Sequence, residues 1–111
     1  MRTAQELTDI GQDRYVRPVH PGEVIADILE DLGISQTKLA EMMGVSRRTI
    51  NEIVQGKRSI TVDTALRLGK VFGNGPKLWL NLQQKVDIWD ALQKYGEEYE
   101  QVKFLSLDHI L

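Results

Sequence analysis

Residues 35–57 read SQTKLAEMMGVSRRTINEIVQGK, and the glycine at position 44 leaves this stretch few shapes to adopt. Ser35 can cap a helix over residues 36–43 that turns Leu39, Ala40 and Met43 inward, and Gly44 supplies the left-handed conformation that ends such a helix at little cost. A second helix begins after Ser46, whose hydroxyl can accept the free backbone N–H of Thr49. Ile50, Ile53 and Val54 then recur at the spacing of a buried stripe. This leaves Arg47, Arg48, Asn51, Glu52 and Gln55 on the outer face or its flanks until Gly56 closes the helix.

The residue types suit a helix-turn-helix that reads DNA. Small Ala40 allows close approach of the two helices, Val45 plugs the turn, and a three- or four-residue connection holds them at a steep angle. The first turns of the second helix then face a major groove. Arg47 or Arg48 can donate a bidentate pair to guanine, Asn51 can pair with adenine, and Glu52 can accept from cytosine N4. Gln36 and Thr37, opening the first helix, would sit over a phosphate with help from backbone N–H groups. Lys57 and Arg58, in the loop after the second helix, suit a phosphate as well. Seven positions (Gln36, Ala40, Gly44, Val45, Ser46, Ile50 and Ile53) agree with this one geometry, which outweighs the alternative of a surface hairpin with solvated arginines.

Charge supports the same division of the molecule. The 111-residue chain carries a formal net charge of −2, too acidic for binding nucleic acid by bulk electrostatics. Residues 36–58, however, sum to +3, whereas residues 23–31 and 87–108 each sum to −4. One face is basic and the remainder acidic, so two copies acting on a two-fold site are expected, and the acidic remainder can meet a basic protein. Cysteine is absent, which excludes disulfides and thiolate chemistry. No apolar run approaches a membrane span and no leader precedes the body, so a cytoplasmic protein without membrane contact is expected.

Around the hairpin, the pattern predicts an all-α domain of five helices. Residues 1–17 read as a mobile arm whose Arg2, Arg14 and Arg17 could touch phosphate, with a frayed terminus the favoured reading. Pro18 and Pro21 stiffen the entry to the domain, and Val24, Ile25, Ile28, Leu29 and Leu32 form the stripe of a first helix ended by Gly33. Thr61 caps a fourth helix with Asp63 in its first turn, burying Val62, Leu66, Gly69 and Phe72 with Ala65 and Leu68 beside them. Pro76 starts a fifth, along which Trp79, Leu82, Val86 and Trp89 stack on one side as core. Residues 18–95 form the folded domain and 96–111 an extension, where Val102, Phe104 and Ser106 share one face of a short β-strand over residues 102–107. Such a strand would need another chain to satisfy its backbone.

An enzyme would need convergent acid, base or nucleophile groups. His20 and His109 read as loop or surface histidines, and Glu30 with Asp31 as a solvated helix end. No catalytic residue, cofactor or metal site is expected.

Taken together with RPVHPGEVI at residues 17–25 and PKLWLNLQ at residues 76–83, the hairpin resembles the HigA-type (VapI-like) antitoxins of type II toxin–antitoxin pairs, within the Xre and Cro class of lambda-repressor-like helix-turn-helix domains. The resemblance covers residues 18–92. It implies a small helical dimer that binds its own operator, represses transcription, and sequesters a HigB-type toxin, a ribosome-dependent, RelE-like mRNA interferase. It also places Gln36, Ser46, Arg47, Arg48, Thr49 and Asn51 at the DNA-contacting positions of the class. The hairpin alone fits equally a free-standing Xre or Cro-type repressor without a toxin, and the neighbouring reading frame separates the two.

Overall fold

Pro21, with its fixed φ and missing N–H, opens the first of five helices in the computed structural model, which describes residues 16–106. The helices are α1 (Pro21–Leu32), α2 (Gln36–Met43), α3 (Arg47–Val54), α4 (Val62–Phe72) and α5 (Lys77–Glu100). The all-α expectation holds, and among the described residues none of the helices is long and apolar enough to cross a membrane.

Local chemistry sets the boundaries. The hydroxyls of Ser35, Ser46 and Thr61 accept the backbone N–H groups of Lys38, Thr49 and Thr64 at 3.0, 3.1 and 3.2 Å. Gly44, at φ 71°, ends α2, with its own N–H donated to the Glu41 carbonyl and that of Val45 to the Ala40 carbonyl. This paired closure satisfies the carbonyls of the last turn and bends the chain directly into α3.

The core lies where the helices cross. Ile25 and Leu29 of α1 meet Leu39, Ala40 and Met43 of α2, Ile50 and Ile53 of α3, Ala65 and Leu68 of α4, and Trp79 of α5, with Ile60 closing the loop side. Trp79 is wholly buried, packs against Phe72 at a centroid separation of 5.7 Å, and donates its indole N–H to Asn74 Oδ1 at 3.4 Å. Val86 is buried further along α5, while Leu82 and Trp89 are half-buried. Gly22 lies so close to the Ile53 carbonyl that any side chain there would collide with it, which lets α1 cross α3 at backbone distance.

Four expectations change. On α4 the buried residues are Thr64, Ala65, Leu68 and Gly69, whereas Val62 and Leu66 are exposed. The helix is rotated because its small residues face the neighbouring helices at close range. His20 is not a surface histidine: it is 5% exposed and caps α1. Arg17 does not belong to a frayed arm, since its guanidinium donates to both Asp90 oxygens at 2.9 Å, joining the segment before α1 to α5. Residues 102–106 adopt no strand; α5 runs through Gly96 to Glu100, and the chain beyond turns without regular pairing. Leu107, His109, Arg2 and Arg14 lie outside the described residues, as does most of the expected arm.

Candidate nucleic-acid interface

The interface is built on two eight-residue helices joined at Gly44. The start of α2 lies against the middle of α3: Asn51 donates from its side-chain amide to the Gln36 carboxamide oxygen at 3.2 Å. One residue expected over a phosphate and one expected to read a base are thus locked together, which fixes the Asn51 amide plane and leaves its carbonyl oxygen as acceptor. Ser46 and Thr49 share a hydroxyl–hydroxyl hydrogen bond of 2.9 Å at the start of α3, and Thr37 is exposed at the start of α2.

The charged residues divide. Arg47 is exposed and makes no ion pair among the described residues. Arg48 is also on the outside, its side chain 88% exposed, but its Nε donates to Glu52 Oε1 at 2.8 Å. The other Glu52 oxygen accepts from Arg58 at 3.3 Å, so one carboxylate bridges α3 and the loop after it. The Arg48 hydrogen bond is the main reason the Glu52 carboxyl titrates below the ordinary range, with the charge of Arg58 adding to it. In the unbound chain Glu52 therefore orders two cations. Pairs this exposed exchange readily, so a phosphate or a guanine edge can take over either arginine. Lys57 is exposed beside Arg58.

A helix-turn-helix family profile (HTH_3) matches residues 25–80, spanning α1 to the first turn of α5. Antitoxin HigA-1 of Vibrio cholerae is 42% identical over 95 residues, which cover 83% of this chain and 90% of that protein. The chain belongs to the HigA family of antitoxins. Among solved structures, a candidate antidote protein of a plasmid maintenance system from Nostoc punctiforme is 67% identical, with 82% of this chain and 100% of that one aligned at a TM-score of 0.72. Antitoxin HigA of Pseudomonas aeruginosa, determined with the higBA promoter, is 36% identical, with 81% and 100% covered and a TM-score of 0.76.

In this HigA-family chain two residues outside the hairpin support the interface. Arg67 of α4 donates from Nη1 to the Met43 carbonyl at 2.8 Å and from Nε to Asp63 at 3.0 Å, clamping the last turn of α2. Gln83, within the PKLWLNLQ segment, is buried, accepts the Ile60 N–H at 2.8 Å and donates to Asp87 at 2.9 Å, tying the loop after α3 to α5. The spacing of Asp63 and Arg67 signals an ion pair on α4; nothing local signals the Met43 contact.

Proposed function

We propose that this chain is an antitoxin that binds its own operator as a homodimer, represses transcription from it, and neutralises a RelE-like mRNA interferase of the HigB type. The observation that carries the DNA reading is the Asn51–Gln36 hydrogen bond, which ties the start of α2 to the middle of α3 as one polar edge, with Arg47 and Arg48 exposed on the turn of α3 before it. In this reading Arg47, Arg48 and Asn51 read bases. Gln36, Thr37, Ser46, Thr49, Lys57 and Arg58 position the protein on phosphates, and Glu52 accepts from cytosine or releases its arginines to the duplex. Two copies place their α3 helices in successive major grooves about 34 Å apart, and repression follows from occlusion of the promoter. Residues 18–95 are the DNA-binding unit, and the work of the chain is binding in the cytoplasm rather than catalysis.

The test is a titration of the chain's own upstream DNA at several salt concentrations. Arg47→Ala and Arg48→Ala should each cost about 1–3 kcal/mol of operator affinity, and Lys57→Ala should reduce the salt slope by about one with little change in sequence preference. Unchanged affinity and slope in the double arginine variant would refute the DNA mechanism. The toxin half is tested by the product of the adjacent reading frame, which should co-purify with this chain and lose its mRNA-cleaving activity in the complex.

A further inference from the structure

Away from the helix-turn-helix, α5 ends in a surface that the other described residues leave exposed. Tyr95 and Tyr99 form a tilted ring pair at 6.2 Å and are 38% and 45% exposed, while Val102, Phe104 and Leu105 beyond them are 72%, 90% and 65% exposed. Glu97, Glu98 and Glu100 occupy the last turn of the same helix, which carries no basic residue. A helix C-terminus already bears partial negative charge, so carboxylates there are unfavourable unless a cation arrives. None pairs with them from within: these three acids make no ion pair among the described residues, Lys94 lies over the Tyr95 ring at 5.1 Å, and Lys103, exposed between Val102 and Phe104, makes no ion pair there either.

We propose that this end of α5, with Glu97, Glu98 and Glu100 around Tyr99, Val102, Phe104 and Leu105, is the docking surface for a small basic protein. Resting on the antitoxin reading, that protein is the toxin. Charge selects the occupant. A second copy joined through the same patch about a two-fold axis would set three carboxylates against three, which disfavours self-association there. Duplex DNA is repelled for the same reason, so the surface stays available while α3 occupies the operator. A cationic partner relieves the uncompensated helix end and covers the exposed rings together.

The experiment co-expresses the full chain with the product of the adjacent reading frame and measures their affinity, the oligomeric state of the chain, and its operator affinity. Two variants are compared with wild type: Glu97→Lys with Glu98→Lys and Glu100→Lys, and Phe104→Ser with Leu105→Ser, all at positions outside the core. The charge reversal should weaken the complex about 100-fold and the apolar change about 10-fold, with operator affinity and oligomeric state unchanged and wild-type affinity falling as salt rises. Variants that hold the partner as tightly as wild type overturn the proposal. So does conversion of the chain to monomer, which would give the surface to a second copy. Failure of wild type itself to bind the neighbouring product would instead overturn the antitoxin reading, and this proposal with it.

Discussion

Arg67 and Met43 are 24 positions apart in sequence, yet the Arg67 guanidinium donates to the Met43 carbonyl at 2.8 Å, immediately before the turn that launches α3. A carbonyl at a helix C-terminus is among those without an intrahelical partner, and a cation there also meets the negative end of the dipole. The contact makes α4 a brace for the angle between the two DNA-facing helices.

Replacing Arg67 with alanine should therefore lower stability by about 1 kcal/mol, a charged hydrogen bond discounted for partial exposure, as read from a urea unfolding curve. Operator affinity should fall with no change in the slope of log K against log salt, because no phosphate contact is removed. A slope reduced by about one would mean that Arg67 itself touches the backbone of the duplex.

Glycine substitutions should act in opposite directions at two sites. A methyl group at Gly22 would strike the Ile53 carbonyl, and backbone rather than a flexible side chain would have to yield, so Gly22→Ala should cost about 3 kcal/mol and lower the thermal midpoint. At Gly96, inside α5, an added methyl meets nothing within 4 Å. Gly96→Ala should stabilise the chain by about 0.5–1 kcal/mol through the lost flexibility of the unfolded state.

Stability should decline on mild acidification through His20. Its Nδ1 accepts the Gly22 N–H at 2.9 Å, so the neutral ring is the capping form. Burial first, and the charge of Arg17 second, hold its pKa below the ordinary 6.5, against the opposing pull of Glu23, Asp87 and Asp90. As pH falls below about 6.5 the unfolded chain takes up the proton before the folded one does, so stability is full above that value and drops until the folded imidazole titrates. The denaturation midpoint should fall between pH 7 and 5 in wild type and stay flat over that range in His20→Asn, which keeps a capping acceptor without a titrating group. Asp90, held below its ordinary 3.8 by the Arg17 hydrogen bond, contributes stability lost only at lower pH, so the two effects separate.

The hairpin was legible because its determinants are local. Ser35, Gly44, Ser46 and Thr61 act on backbone groups within four positions, and the apolar spacing of Leu39, Ala40, Met43, Ile50 and Ile53 fixes the inner face of each short helix. The exposed positions of Arg47 and Arg48 follow from the same arithmetic. Periodicity failed on α4, where apolar residues occupy more than one flank: Val62 and Leu66 fit a stripe as well as Ala65 and Leu68 do, and packing distance chose the smaller set.

What the amino-acid order determined unaided was where the first four helices start and stop and which way α2 and α3 turn their apolar sides, since caps, glycine turns and periodic stripes depend on neighbours along the chain. Only the assembled fold decided the distant partners: Asn51 on Gln36, Arg67 on Met43, and Gln83 on Ile60. Those contacts join groups many residues apart, whose meeting depends on how helices cross, and a crossing angle is a property of complementary surfaces that no single segment carries.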